Sequence, residues 1–132
     1  MTKESSNNIS LCNILNIRYP IIMAPMFLIS NADMVIEAIN SGITGSIPDH
    51  NFRTDSEFKD AIEMIRKKAS GPIGVNLIVN KSNVKLKQQL NSCLELKVDY
   101  IITSLGSPEK IINVCKPLGI KVFCDVVDVK YA

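Results

Sequence analysis

Five short, mainly apolar runs alternate with amphipathic segments along this chain of 132 residues, and this alternation restricts the possible folds more than any other feature. The runs occupy residues 20–26, 43–47, 73–79, 100–104 and 121–126. Apolar runs of this length are typical of strands buried on both faces, as in parallel sheets. The segments between them repeat apolar residues at spacings of three and four, which predicts helices. The sequence therefore predicts β/α units built around a parallel sheet.

Cap residues predict where these helices begin and end. Ser30 and the polar residues after it predict the start of one helix, and Gly42 predicts its end. Thr54 or Asp55 caps a second helix, and Ser82 opens a third. A fourth helix follows the turn at residues 106–109 and is terminated by Gly119.

The two ends of the chain are expected to differ from the middle. Residues 1–8 are rich in Ser and Asn and are expected to be disordered. Residues 9–17 form a short amphipathic lead-in, and residues 127–132 would begin one more helix. The whole chain, residues 1–132, is long enough for one domain with a real core, but not for two.

Two architectures fit five strands that alternate with four helices. A doubly wound sheet of five strands would be complete at this length. A TIM (β/α)₈ barrel typically needs about 250 residues, so this chain would supply its first five strands. The residues alone leave both open, although neither a GxGxxG nor a Walker A motif is present to support a nucleotide-binding doubly wound fold.

Composition excludes several functional classes. The net charge of +2, the lack of a basic cluster and the absence of Trp argue against nucleic-acid binding. No apolar run approaches the roughly 20 residues that cross a bilayer, and residues 1–10 do not resemble a signal peptide. The four cysteines form no CxxC pair and lie in apolar segments, so we expect them to be reduced and buried in a cytoplasmic protein, with no metal site.

Polar or conformationally special residues lie at the ends of the predicted strands, which meet at one edge of a parallel sheet. Asn76 is the most informative, because an amide inside an apolar strand must find partners. Two interpretations remain open: it bonds the backbone of a neighbouring strand or loop, or it faces a planar hydrogen-bonding ligand such as a flavin ring. Asp125 could equally anchor a ligand or cap a turn. For His50, the only histidine, an exposed or capping role is favoured over acid–base chemistry.

Four motifs, in this order and spacing, resemble the nitronate monooxygenase family. They are RYPIIMAPM at residues 18–26, SGITGSIPDHNFRT at 41–54, PIGVNLIVNKSN at 72–83 and YIITSLGSPEKII at 100–112. The resemblance implies an FMN-dependent TIM barrel that oxidises alkyl nitronates with O₂ to a carbonyl compound and nitrite. It places Ala24, Pro25 and Met26 against the isoalloxazine ring and Asn76 in a hydrogen bond to the flavin. Three more residues would line the same rim: Thr103, Ser104 and Asp125.

The chain departs from the family in one respect. The glycine-rich motif with a histidine, which supplies the catalytic base in the family, is not found, and His50 does not match it. We therefore assign no catalytic residue. The expectation is a truncated barrel, the N-terminal part of a longer enzyme, which is inactive alone.

Three alternatives accompany this expectation. The first is a flavin-dependent enoyl-acyl-carrier-protein reductase, which shares the barrel and the opening PII motif. The second is a truncated, non-catalytic domain, and the third is a complete flavodoxin-like module of five strands. A partial barrel would also leave apolar edge strands open, so a homo-oligomer is possible.

Overall fold

The structure, a computed structural model, describes residues 9–132 and contains one parallel sheet of five strands. The disorder expected for residues 1–8 lies outside the described residues. The strands are β1 (Ile22–Met23), β2 (Thr44–Pro48), β3 (Ile73–Ile78), β4 (Tyr100–Ser104) and β5 (Lys121–Cys124). The helices are α1 (Leu11–Leu15), α2 (Ala32–Asn40), α3 (Asp55–Lys68), α4 (Leu86–Glu95) and α5 (Glu109–Cys115).

The order of the strands decides between the two architectures. The strands lie side by side as β1-β2-β3-β4-β5, each parallel to the next. A doubly wound sheet reverses its order at a switch point, whereas a β/α barrel keeps the order of the chain. The sheet is therefore a curled, five-stranded portion of a TIM barrel, and the flavodoxin-like alternative is wrong.

Two of the predicted helices show how local sequence fixes helix ends. Asn31 caps α2 by accepting a hydrogen bond from the Met34 amide at 2.9 Å. Thr54 and Glu57 form a reciprocal capping box at the start of α3, which satisfies amides that the first turn leaves free. Both starts were predicted. Three residues of α3, Phe58, Ile62 and Ile65, turn towards the sheet and are fully buried, as the apolar spacing indicated.

The prediction for α4 was wrong at its start. The helix begins at Leu86 rather than near Ser82. Asn80 accepts a hydrogen bond from the Ser82 amide at 3.0 Å, and Asn83 accepts one from the Lys85 amide at 3.1 Å. These short side chains hold the backbone in turns that compete with the helix. Val84, which lies between Asn83 and Lys85 in these turns, is 92% exposed.

Strand β1 is shorter and more exposed than predicted. It covers only Ile22–Met23, both residues are half-buried, and Ile21 is exposed. Pro20 and Pro25 have no amide hydrogen to donate to a neighbouring strand, and β1 lies at the sheet edge beside β2 alone. At the opposite edge, β5 ends at Cys124 instead of residue 126.

The core lies between the sheet and its layer of helices. Residues from α2, α3 and α5 pack there against the outward-facing residues of β2, β3 and β4. The opposite, concave face of the sheet is closed at one point by Tyr100, whose hydroxyl bonds Thr44 Oγ1 and the Gly45 carbonyl, both at 3.1 Å. Only glycine fits at position 74 beneath this ring, because a Cβ there would lie 2.1 Å from Tyr100 Cε2.

The cysteines agree only in part with the expectation. All four are free thiols. Cys93 and Cys115 are buried in the core, and burial raises the pKa of both thiols. Cys12 is half-buried, and Cys124 is exposed at the edge of the sheet, so the prediction of burial was wrong for Cys124. Among residues 9–132, no helix is both long enough and apolar enough to cross a bilayer.

Candidate functional site

The register of β3 and β4 determines which predicted site residues share a face. Asn76 pairs with Ile102 and Ile78 with Ser104, whereas Leu77 pairs with Thr103. Leu77 belongs to the core under the helices. Because side chains alternate along a strand and paired residues point the same way, Asn76 and Ser104 lie on the concave face. The Thr103 side chain, 2% exposed, faces the helices instead.

The amide of Asn76 has a defined orientation. Its Nδ2 donates to the Ile102 carbonyl at 3.0 Å and to Ser104 Oγ at 2.8 Å. A carbonyl can only accept, so the nitrogen must point towards β4. Within residues 9–132, Asn76 Oδ1 accepts no hydrogen bond. The first interpretation of Asn76, bonding to a neighbouring strand, is thus satisfied by its donors, while its acceptor stays available for a ligand.

Asn76 lies on a concave surface with residues that follow β1 and β2. A cavity of about 280 Å³ is lined by six residues, which we call the Asn76 cavity: Pro25, Phe27, Pro48, His50, Asn76 and Ile78. Of the three residues predicted near the ring of a flavin, Pro25 lines this cavity. Ala24 is exposed and Met26 half-buried beside it in the chain, outside the lining.

The segment after β1 is held in place by two residues that the sequence did not reveal. Ser30 Oγ accepts from the Met26 amide at 2.9 Å and donates to the Ala24 carbonyl at 3.2 Å. Asn51 Nδ2 donates to the Ser30 carbonyl at 2.9 Å, and Asn51 Oδ1 accepts from the Leu28 amide at 2.7 Å. Asn51 and its partners lie more than 20 positions apart in the chain, so no local pattern could have found them.

Asp125 and His50 take different positions from each other. Asp125 is exposed just beyond β5 and lines a separate cavity of about 580 Å³ with Tyr131. Its amide donates to the Thr103 carbonyl at 2.9 Å, which continues the ladder between β4 and β5. His50 is exposed on the short 3₁₀ turn after β2 and faces the Asn76 cavity. The structure therefore brings Pro25, Asn76 and Ser104 together and leaves Thr103 and Asp125 apart from them.

A buried carboxyl group lies next to His50, at a strand end where the sequence predicted polar residues but not their burial. Asp49 is 8% exposed, and its Oδ1 accepts a hydrogen bond of 2.6 Å from Gln89 Nε2. Gln89 Oε1 accepts in turn from Asn83 Nδ2 at 2.7 Å. Burial raises the pKa of Asp49, and the Gln89 hydrogen bond and nearby His50 partly offset this shift. Asp49 follows a strand directly, which was the available signal, but its partner lies 40 residues further along.

Comparisons with known proteins agree with the fold and identify the family. FabK from Thermotoga maritima is similar at 26% identity with a TM-score of 0.83, and the match covers 92% of this chain and 38% of that one. Its M276A mutant is similar at 25% identity and a TM-score of 0.82, covering 92% and 40%. The chain thus spans about two fifths of the length of these structures.

The search of curated proteins found no match. The sequence profile described as nitronate monooxygenase, by contrast, matches residues 8–129, nearly the whole chain. Together with the parallel strand order and the motifs on the concave face, this match shows that the chain belongs to the nitronate monooxygenase family.

Proposed function

We propose that this chain is the N-terminal part of a flavin-dependent oxidoreductase and that its concave face binds FMN. The observation that supports this most directly is Asn76, whose amide oxygen is free on the concave face while both amide hydrogens are engaged by β4. The proposed reaction is the oxidation of an alkyl nitronate with O₂ to a carbonyl compound and nitrite. Membership of the nitronate monooxygenase family supports this choice of chemistry.

The residues present fit a flavin ring. The pyrimidine side of an isoalloxazine carries an imide N–H, for which Asn76 Oδ1 is a suitable acceptor. Pro25, Pro48 and Ile78 provide apolar walls around that amide, as is typical of cofactor sites with few, well-placed polar groups. The flavin, when bound, supplies the redox chemistry, and this chain's residues bind and orient it.

The other predicted site residues receive different roles. Ser104 would keep the Asn76 amide in place by accepting its hydrogen bond. Ala24 and Met26 would contribute through the backbone that Ser30 fixes. Thr103 can reach the rim only through its backbone, since its side chain is buried towards the helices. Asp125 would line the rim further along, beyond β5.

Asn76→Ala tests the proposed flavin contact. We expect the affinity for FMN, measured by quenching of flavin fluorescence, to fall about tenfold, because one ligand hydrogen bond and the orientation of the site are lost. Asn91→Ala is the matched control, since Asn91 is exposed on α4 away from the concave face and should leave the affinity unchanged. An Asn76→Ala variant that is folded and binds FMN normally would show that Asn76 is not a flavin ligand.

A second candidate is a flavin-dependent enoyl-acyl-carrier-protein reductase, and the likeness to the two FabK structures is the reason to test it. The two activities differ in their co-substrates. A nitronate monooxygenase consumes O₂ when an alkyl nitronate is added, whereas the reductase oxidises NAD(P)H when an enoyl thioester is added. Both assays should use the protein as it occurs in its source cell. FMN binding without either activity would favour a non-catalytic domain.

A further inference from the structure

A large cavity adjoins the Asn76 cavity, with His50 and Ile78 lining both, and its other residues take no part in the function proposed above. It has a volume of about 750 Å³ and opens between the turn after β2, the start of α3 and the loop that joins β3 to α4. We call it the Asp49 cavity, after the acidic residue in its lining. Its volume lies within the range of roughly 300 to 1,000 Å³ that small-molecule sites occupy.

Asp49 presents an unused acceptor to this cavity. Its Oδ1 accepts from Gln89, but its Oδ2 accepts no hydrogen bond from any residue of the described part, 9–132. In that same part, every side-chain oxygen or nitrogen that is fully buried has a hydrogen-bond partner. Since Asp49 Oδ2 has none, this oxygen is accessible, and we place it at the cavity that Asp49 lines. A carboxylate in that position is suited to a ligand that donates hydrogen bonds, such as one with hydroxyl groups.

The carboxyl group is fixed before any ligand arrives. Gln89, 5% exposed, links Asp49 to Asn83, and Asn83 Nδ2 also donates to the Ile78 carbonyl at 2.8 Å. This chain of hydrogen bonds ties the turn after β2, helix α4 and the end of β3 together. Little conformational freedom would be lost at Asp49 on binding, which favours affinity.

Two cations line the same cavity outside any ion pair within residues 9–132, and the charge of one of them, Lys85, acts on Asp49 by lowering its pKa. Arg53 and Lys85 line it, and neither forms an ion pair with a residue in the described range. The other acidic residue in the lining, Asp55, is already engaged by Ser92 and by Lys59. The cavity thus combines an open carboxylate oxygen with two unpaired positive side chains.

We propose that the Asp49 cavity is a binding site for a hydroxylated phosphate ester, whose hydroxyl groups donate to Asp49 and whose phosphate lies at Arg53 and Lys85. This chemistry is shared by free sugar phosphates and by the ribose phosphate of a nucleotide. The Asp49 cavity shares His50 and Ile78 with the lining of the Asn76 cavity, but Asp49, Arg53 and Lys85 line the Asp49 cavity alone, so the proposal does not depend on flavin binding.

Isothermal titration calorimetry of the 132-residue chain tests this proposal, with ribose 5-phosphate as the probe. We expect a Kd of about 1 mM or tighter, as a sugar phosphate held by several polar contacts would have. AMP identifies the source: tighter binding of AMP means a nucleotide site, and tighter binding of ribose 5-phosphate means a sugar phosphate site. No binding of either probe overturns the proposal. Inorganic phosphate binding as tightly as ribose 5-phosphate also overturns it, since the hydroxyl groups would then contribute nothing.

Two variants assign the contacts. Asp49→Asn should weaken ribose 5-phosphate about tenfold by removing the charged acceptor, and Lys85→Ala should weaken it by a similar factor. Asp60→Asn and Lys87→Ala are the matched controls, because both residues are exposed outside the lining of the cavity. If Asp49→Asn does not fold, the exposed Lys85→Ala variant still decides the matter. Unchanged affinity in folded Lys85→Ala overturns the assigned phosphate position.

Adding lumiflavin, a flavin ring without hydroxyl groups or phosphate, separates this proposal from the preceding one. FMN does not serve here, because it is itself a hydroxylated phosphate ester and would compete at the Asp49 cavity. Ribose 5-phosphate should bind equally well with and without lumiflavin, because Asp49, Arg53 and Lys85 lie outside the lining of the Asn76 cavity. If the chain binds ribose 5-phosphate but neither lumiflavin nor FMN at the Asn76 cavity, the proposed function fails and the Asp49 site stands. If lumiflavin displaces ribose 5-phosphate, the Asp49 cavity belongs to the flavin site, and a separate site is ruled out.

Discussion

Asp49 carries a carboxyl group that folding withdraws from water, and this has a consequence for stability. Burial is the largest influence on its pKa and raises it above the ordinary value of 3.8. The folded state therefore holds the proton more firmly than the unfolded state does. The stabilisation that this provides is fully present below pH 3.8 and is lost as the pH rises through the pKa of the folded state.

Asp49→Asn should remove this dependence on pH. The amide can still accept from Gln89 but cannot ionise, so the variant should gain stability relative to the natural protein as the pH rises. Urea unfolding at a series of pH values from about 3.5 to 7 measures the difference in the free energy of unfolding. Asp60→Asn, at an exposed position, serves as the control. A difference that stays constant with pH would contradict the raised pKa.

Individual polar residues were predicted unevenly, for a physical reason. Asn76 stood out because an amide inside an apolar strand needs partners, and the structure supplies them on β4. The burial of Asp49 and the contacts of Asn51 were not predicted, because each looks like an ordinary loop residue until its distant partner is known. Local sequence can show that a polar group needs a hydrogen-bond partner, but the fold determines which group that partner is.

At the scale of elements, the segment between β1 and α2 depends on Asn51. Three hydrogen bonds from the Asn51 side chain reach this segment, at the Met26 and Ser30 carbonyls and the Leu28 amide. Leu28 also adopts a positive φ of 58°, an uncommon conformation for a residue with a side chain. The segment is therefore held in its shape by tertiary contacts more than by its own preference.

Asn51→Ala should release this segment. We expect the Leu28 amide to exchange its hydrogen with solvent much faster, measured by hydrogen–deuterium exchange, and the free energy of unfolding to fall by about 1 to 3 kcal/mol. FMN affinity should fall too if Pro25 and Phe27 line the flavin site as proposed. Asn40→Ala, at the exposed end of α2, is the control. Unchanged exchange at Leu28 would show that the segment keeps its shape without Asn51.

The predicted elements succeeded where their determinants are local. The starts of α2 and α3 follow from capping residues within three positions of each helix start, and the structure confirms these starts. The length of β1 follows from its place at the edge of the sheet, which no short stretch of sequence specifies. The start of α4 failed for another reason, because two Asn side chains stabilise turns where the apolar pattern alone predicted a helix.

At the scale of the whole molecule, the sheet has two open edges. In the described range, β1 pairs only with β2, and β5 pairs only with β4. Exposed strand edges readily pair with another chain. The family relationship and the alternation of β/α units were predictable, because they rest on patterns that run along the whole sequence. The surfaces that remain uncovered were not predictable, because they depend on the neighbours that each sheet edge acquires.

We expect the chain to associate with itself through these edges, as closure of a barrel from two copies would require. Size-exclusion chromatography with light scattering should give a mass above 14.6 kDa that rises with protein concentration. Val122→Pro would remove one backbone donor from β5 and reduce the association. A monomer at all concentrations would rule out edge-mediated assembly.

The hydrogen bond between Asn76 and Ser104 has one more consequence. Since Ser104 Oγ accepts a hydrogen bond from the Asn76 amide, its own hydroxyl hydrogen is free to donate to a ligand. Beside it lies Asn76 Oδ1, an amide oxygen that can only accept. The two strands together thus display a donor beside an acceptor, which is the complement of a ring edge that carries a carbonyl beside an N–H. The two strands would then bind the edge of a heterocycle through paired hydrogen bonds, as one nucleobase binds another. A ring that is methylated at that nitrogen has no hydrogen to donate to Asn76 Oδ1 and would bind more weakly.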